Sequence, residues 1–426
     1  MKEDFLYYLW QYQQFLKTDL RTTAGEEIKV LKTGHQNLDA GPDFALAKVQ
    51  IANVEWAGSV EMHLRASDWN RHNHQTDPKY GNVILHVVWE NDEVVLRHDN
   101  TPMPTLELKN LAFPEATKAY QILLQQKPGI PCAPFFPEVP ELTKISMLGR
   151  TLHERLTQKI QELEQLLQHE NGDWENTTYR WLFRAFGFRI NTEPMLRLSA
   201  AVSWQILRKH LDSLLQVEAL LFGQAGLLDV EPENDLYLKR LQQEYLHLAK
   251  KYALQPNKLQ KSHWNFFRLR PANFPTVRLA QLAVFLHKTP FLRQSLIETE
   301  DVNSYFRMFK VQQTEYWQQH YLPLKASKSK VAGLGKSSVY NLLINSVVPL
   351  LYAYGKYKGD DAYINKSLAL LDTVPPEENT ITSIYHELGF PPKTAADSQA
   401  LIQLNKFYCQ PVRCLNCAIG VKIMRG

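Results

Sequence analysis

The sequence predicts an α+β protein in which an N-terminal α-β-β-β-α-β region precedes a mostly helical C-terminal region. Three observations carry this. Apolar alternation at the strand period is confined to the chain before "KPGIPCAPFFPEVPE" (Lys127–Glu141). The five prolines of that stretch make it an extended linker or strap. Beyond it the chain reads as successive helices, among them "LHERLTQKIQELEQLLQHE" and "DLYLKRLQQEYLHLAKKYA".

Residues 4–17 (DFLYYLWQYQQFLK) have apolar side chains at helical spacing and form the first helix. "EEIKVLKTG" is a strand ending at Gly34, and the next strand runs from Phe44 to Ile51. "VEWAGSVEMHL" alternates: Val54, Trp56, Val60, Met62 and Leu64 share one face, Glu55, Glu61 and His63 the other. Ala52-Asn53 between these strands suits a tight hairpin. "ASDWNRHNHQTDPKYG" opens on an N-cap at Ser67 or Asp68 and holds a short helix. "NVILHVVWE" is a β-branched run expected of a central strand covered on both faces, and "EVVLRHD" and "TLELK" add edge strands. The expected domains are 1–126, a strap at 127–141, a helical domain at 142–405 and a cysteine-rich element at 406–426. No fixed-period repeat is present, so a solenoid is not expected.

With 426 residues, 44% hydrophobic and 22% charged, the chain is an ordinary globular protein able to bury a sizeable core. Its net charge of +4 says less than the distribution of charge. The start, MKEDFLYYLWQYQQF, carries two acids and lacks the pattern of a secretory signal. "VYNLLINSVVPLLYAYG" (Val339–Gly355) contains Asn341, Asn345 and Pro349, and reads as a buried helix rather than a membrane span. The expectation is a soluble, cytoplasmic protein with no membrane partner. Four cysteines, three of them near the end, are not a secreted disulfide framework.

Asp43 and Glu61 are the first candidate site. If their strands form a hairpin, both carboxylates come to one edge, where they can share magnesium or manganese. His63 projects from the same face as Glu61. Such an ion polarises a phosphoryl oxygen and activates water, as phosphodiester hydrolysis requires. In the alternative reading, Gly41-Pro42-Asp43 is only a turn, with Asp43 bonding backbone amides and Glu61 solvated.

On "PDF", "VEMH" and the element order, this region resembles the PD-(D/E)XK nuclease superfamily. The resemblance implies a restriction-endonuclease-like core, with an Asp opening the second strand and a Glu-x-Lys on the third. Pro42-Asp43 and Glu61-Met62-His63 match that layout, with His63 where the family has Lys. It implies a metal-dependent nuclease in which Asp43 and Glu61 bind magnesium or manganese and His63 assists the water or phosphate. The departure at His63 leaves room for altered chemistry or an inactive relative.

In "DWNRHNHQTDPKY", Asp68, His72, His74 and Asp77 form a second polar cluster. Histidines at i and i+2 do not share a helix face, so joint metal binding by His72 and His74 needs a loop or distorted turn. One residue of the cluster is expected to line the Asp43–Glu61 cleft while the others are solvated. His86, inside an apolar strand, reads as a hydrogen-bonded core residue.

Cys409-x4-Cys414-x2-Cys417 places three thiols within nine residues, a spacing suited to a soft metal. Cys132, in the strap, is a candidate fourth ligand for zinc or an iron–sulfur cluster, and the arrangement resembles that of iron–sulfur-bearing nucleases with a different spacing. A histidine as fourth ligand, or four unliganded thiols, are the other readings.

No acid occurs between Glu244 and Glu298, nor from Tyr316 to Gly359. The first window interleaves arginines with aromatic rings in "HWNFFRLRPANFPTVRLAQ", and the second holds "KASKSKVAGLGKSS". Lys261, Trp264, Arg268, Arg270, Arg278, Lys328, Lys330 and Lys336 are therefore candidate contacts to DNA or RNA, the cations on phosphates and the indole on an unpaired base. "GLGKSS" is not a nucleotide P-loop, because Lys330 stands where the first glycine belongs and no strand precedes it.

Across nearly its length the chain also resembles a bacterial family known as a domain of unknown function. That resemblance rests on "NLDAGPDF", "VEMH" followed by "DWNRHNH", "FRLRPANFPTVRLAQLA" and the cysteine tail, and implies no activity. Three functions follow: a metal-dependent nuclease or nuclease-derived nucleic-acid processing protein, a non-catalytic nucleic-acid binder, or an interaction scaffold with a structural metal.

Overall fold

Backbone contacts divide the chain into two compact units, one taking in Met1–Met147 with Leu404–Gly426, the other Leu148–Gln403. The computed structural model describes residues 2–37, 40–125 and 129–425. Lys127 and Pro128 of the strap, and Leu38 and Asp39 of "NLDAGPDF", lie outside these.

In the first unit, helix α1 (Glu3–Gln11) buries Phe5, Leu6, Tyr8, Leu9 and Trp10. It stops short of the predicted Lys17 because Gln13 takes a left-handed φ of 48°. The Gln14 amide then bonds the Leu9 carbonyl and the Gln13 amide that of Trp10, satisfying the helix's last carbonyls in a Schellman turn.

The sheet contains β1 (Ile28–Lys32), β2 (His35–Gln36), β3 (Phe44–Ile51), β4 (Val54–Arg65), β5 (Val83–Glu90) and β6 (Thr105–Glu107). Its order is β1-β3-β4-β5-β6, with β2 also on β3. β3 runs antiparallel to both its neighbours, β1 and β4, and β4 to β5 and β5 to β6 are parallel steps. A parallel step needs a crossover. Between β4 and β5 it is supplied by α2 (Asp68–Arg71) and a single turn at Pro78–Tyr80. Gly58 lets β4 lie close to the segment entering β5, since a Cβ there would sit 2.4 Å from the Asn82 carbonyl oxygen. "EVVLRHD" is not a strand; it forms only an isolated bridge, Leu96 to Pro102, around the turn at Asn100.

Two expectations for β4 change. Val54 and Trp56 are exposed at its start, whereas residues 59–63 are buried on both faces, including Glu61 and His63. The polar face of this strand is thus an interior face. β5 is buried from Val83 to Val88, as its β-branched composition predicts. Helix α3 (Pro114–Gln125) packs against the C-terminal helix Ala418–Arg425, so the cysteine-rich tail belongs to this unit.

The second unit is helical apart from one small pairing, His320–Leu322 with Lys325–Ala326. Its core gathers Trp181, Phe183, Phe222, Phe285, Trp317 and Leu350, among others. Val339–Gly355 is indeed buried helix, with a π turn at Leu343–Val347 just before Pro349, which has no N–H to give. The Trp181 indole caps the Ser346 carbonyl there at 3.1 Å. No helix among the described residues is long and apolar enough to cross a membrane.

Candidate functional site

Asp43 lies immediately before β3, and the register of Phe44 against Val60 sets it beside Glu61 and Met62 of β4. The two carboxylates then hold each other's strand. Asp43 Oδ2 accepts from the Met62 amide at 2.9 Å, and Glu61 Oε2 accepts from the Asp43 amide at 3.0 Å. Asp43 Oδ1 takes the Tyr7 hydroxyl of α1 at 2.8 Å. Asp43 does bond a backbone amide, as the turn reading expects, but Glu61 is only 5% exposed and not solvated.

Glu61 Oε1 faces imidazoles. It lies 3.4 Å from His74 Nε2 and 3.7 Å from His63 Nε2. His63 Nε2 is 3.2 Å from His72 Nδ1, and His63 Nδ1 is 2.9 Å from Nε2 of His86, the β5 residue paired with Glu61. His63, His72 and His74 offer ligand atoms that all lie within 4.8 Å of one another. The distorted turn that His72 and His74 need is present. α2 ends at Arg71, anchored by buried Trp69, and Asn73 takes a left-handed φ of 61° that swings His74 back toward the sheet. The Tyr80 ring stacks on His74 at 3.8 Å. Asp68 and Asp77 instead cap local backbone, at Arg65 and Lys79.

Burial sets the charge of these groups. It pushes the Glu61 carboxyl up to about 9, helped by the charge of Asp43 and opposed by the Asp43 amide. Burial raises Asp43 too, against the Tyr7 and Met62 hydrogen bonds. His63 falls to about 2, His86 to about 3 and His74 to about 4, each chiefly through burial and then through neighbouring imidazoles. At neutral pH these three rings are uncharged and Glu61 keeps its proton, so these four groups hold lone pairs rather than charge.

Its donor set is one carboxylate and three imidazoles. In a tetrahedral site with bonds of about 2.0–2.1 Å, ligand atoms stand about 3.3 Å apart, and the contacts of 3.2, 3.4 and 3.7 Å lie near that edge. Nitrogen-rich sets suit zinc or manganese; magnesium prefers oxygen. Both Asp43 oxygens already accept protein hydrogen bonds. The residues therefore fit a transition metal on Glu61 and the histidines better than magnesium on Asp43 and Glu61. His72 is the exposed member, leaving the cluster open on that side.

Sequence reasoning missed Tyr7, Tyr80 and the outer role of His86. Only the i, i+4 placement of Glu3 and Tyr7 on α1 hinted at a helix face turned to the site. Glu3 is indeed near enough for the Asp43 charge, after burial, to raise its carboxyl.

The four cysteines are all buried thiols of the first unit. Burial is the main force raising Cys132, and Cys409, Cys417 and Cys414 each add to it, so the strap cysteine lies within electrostatic range of the three of the tail. Burial, then Cys417, pushes Cys414 up to about 12.

Of the candidate nucleic-acid contacts, Lys261, Arg268, Arg270, Lys328, Lys330 and Lys336 are exposed. Trp264 and Arg278 are not. The Trp264 indole is a core ring that donates to the Ala225 carbonyl at 2.8 Å, so it offers no surface for a base. Phe267, by contrast, is 74% exposed, with the Arg268 guanidinium 5.1 Å from its ring.

Over residues 3–380 the chain matches the family described as "Protein of unknown function (DUF2851)", and it belongs to that family. No curated protein and no solved structure matches it. The family match ends before the three tail cysteines.

Proposed function

We propose that this family member is a transition-metal-dependent phosphodiesterase acting on nucleic acid, its ion held by Glu61, His63, His72 and His74. The convergence of three imidazole ligand atoms beside a buried carboxylate carries the reading. The order α1-β1-β3-β4-α2-β5 around them supports the substrate class, because it is the order the nuclease resemblance implies. A divalent ion there polarises a phosphoryl oxygen and lowers the pKa of bound water.

The chain's own residues do the positioning. In the tautomer that ligation requires, His63 Nδ1 donates to His86 Nε2, 2.9 Å away, which leaves the His63 Nε2 lone pair for the ion. The Asp43 amide fixes Glu61 Oε2, so Oε1 is the oxygen presented. Asp43 is thus a positioning residue secured by Tyr7. Exposed Lys261, Arg268, Arg270, Lys328, Lys330 and Lys336 of the second unit supply phosphate contacts, and Phe267 a stacking face.

The test is incubation with single- and double-stranded DNA and RNA in manganese, zinc or magnesium, with Glu61→Gln and His74→Ala alongside. Cleavage that needs manganese or zinc and disappears in both variants supports the reading; cleavage indifferent to both removes it. Salt-sensitive binding without cleavage favours the non-catalytic binder, and loss of both activities the scaffold.

A separate observation favours a second, structural metal. Cys132 of the strap and the tail cysteines Cys409, Cys414 and Cys417 lie in one unit, near enough for the tail thiols to act on Cys132. They suit zinc or an iron–sulfur cluster that clips the tail to the strap. Anaerobic purification with metal analysis and visible absorption separates zinc, iron–sulfur and bare thiols.

A further inference from the structure

The helix Pro275–Lys288 buries a charge that no acid among the described residues pairs with. Arg278 is 6% exposed, yet its partners are neutral: Gln281 Oε1 at 3.0 Å, Asn273 Oδ1 at 2.7 Å, Ser338 Oγ at 3.1 Å and the Phe188 ring at 4.0 Å. Other arginines of this unit differ. Arg180 pairs with Glu170, Arg293 with Glu175, and buried Arg155 feels Glu377 and Glu162. Burial alone acts on Arg278, lowering it to about 10, so it stays charged at neutral pH. A buried charge without a counter-ion is among the costliest arrangements a fold can hold.

Arg278 lines a cavity of about 350 Å³, a volume in the range of small-molecule sites. One wall is apolar, with Phe186, Phe188, Met195 and Leu269; Asn273, Ser337, Ser338 and Asn341 form the other. Ser338 accepts from Arg278, so its own O–H proton remains to donate. Glu377 approaches only through Asn341, at 3.3 Å from its amide. Phe188 and Arg189 both take left-handed φ values, 44° and 71°, in the turn that presents Phe188 to the guanidinium. Consecutive non-glycine residues in that region cost energy and cluster at ligand sites. A cation ringed by hydroxyl and amide donors, beside an aromatic wall, is complementary to an oxyanion with several acceptor positions attached to a flat apolar group.

We propose that this cavity binds a nucleoside monophosphate or the phosphorylated end of a strand, its phosphoryl group on Arg278 and Ser338 and its base along Phe188 and Ile190. The site lies wholly in the second unit and does not depend on the metal centre of the first.

Calorimetry of the full chain without added divalent metal tests it, with a nucleoside 5′-monophosphate, the parent nucleoside, inorganic phosphate, and oligonucleotides with 5′-phosphate or 5′-hydroxyl ends. Saturable binding of the monophosphate at one site is expected, weaker binding of phosphate, and none of the nucleoside. Preference for the 5′-phosphate oligonucleotide identifies a strand end as the source; equal binding of both oligonucleotides restricts the site to the free nucleotide. Arg278→Gln should weaken binding at least about tenfold. Ser338→Ala, at the rim, should weaken it several-fold while melting like the parent, so the test survives misfolding of the arginine variant. Glu61→Gln should bind normally, which separates this result from the fate of the first-unit reading. No saturable binding of any phosphate-bearing probe, or unchanged binding in both cavity variants, overturns the proposal. Binding of inorganic phosphate alone overturns its nucleoside half.

Discussion

The two units bury polar groups in opposite ways. On the sheet, Glu61, His63, His74 and His86 are ionisable, and burial has moved each toward its neutral form. In the helical unit, Arg278 is equally buried but stays charged, because even after burial its pKa of about 10 lies well above neutral pH. A carboxyl or imidazole answers desolvation by shifting across neutrality; a guanidinium starts too high to do so. On the readings proposed above, a cation would complete the first arrangement and an anion the second. A chain with both would suit the handling of phosphate esters.

The largest expected effect breaks the first site and spares the second. His63→Ala should weaken manganese or zinc binding by at least about a hundredfold, beyond what losing an outer residue usually costs. Equilibrium dialysis against either metal measures it, and nucleotide binding at Arg278 should not change. His86→Phe keeps the site's bulk but removes the acceptor for His63 Nδ1. A loss of about tenfold to a hundredfold is expected, and unaltered affinity would show that His86 does not orient His63.

Gly58→Ala tests how far the first site depends on strand spacing. A Cβ would lie 2.4 Å from the Asn82 carbonyl oxygen, and overpacking of this kind costs about 1–3 kcal/mol. The melting temperature should fall by about 2–4 °C per kcal/mol, with weaker metal binding and an intact Arg278 cavity.

The pH dependence of the metal-free protein separates the two strategies. His63, His74 and His86 have folded values below the ordinary 6.5, so the unfolded chain binds more protons in that window. Their contribution to stability is present above 6.5 and is lost as pH falls toward 4 and below. Glu61 is raised from 4.5 to about 9, so the folded chain holds the extra proton and its contribution fades as pH rises across that interval. Denaturant titrations at stepped pH should show both limbs. Glu61→Gln should flatten the alkaline one, while Arg278→Gln changes neither. The smallest effect is expected from Asp43→Asn, which keeps the backbone bond to Glu61 Oε2. Metal affinity should change only a few-fold; a loss equal to that of Glu61→Gln would make Asp43 a ligand, as the nuclease resemblance implies.

Much of the fold and part of the site were legible in the sequence. Side chains alternate strictly along a strand, so "VEMH" alone puts Glu61 and His63 on one face. The i, i+2 spacing of His72 and His74 correctly demanded a non-helical turn, but the left-handed Asn73 that provides it has no distinctive local signal. His86 read as a hydrogen-bonded core residue and is one, though its partner was not readable. Trp264 and Arg278 misled because a basic, aromatic stretch looks the same whether its rings and guanidinium groups face water or the core.

By itself, then, the sequence determined the α+β division, the main strands of the N-terminal sheet and the shared face of Glu61 and His63, all set by local periodicity and turn chemistry. Only the tertiary structure decided that His72 and His74 join that face, that Cys132 lies in one unit with the three tail cysteines and that Arg278 is enclosed with no acid bonded to it among the described residues. Ligand sets, proton affinities and the cost of a buried charge depend on distances between residues far apart in the chain and on exclusion of water, which no local pattern specifies.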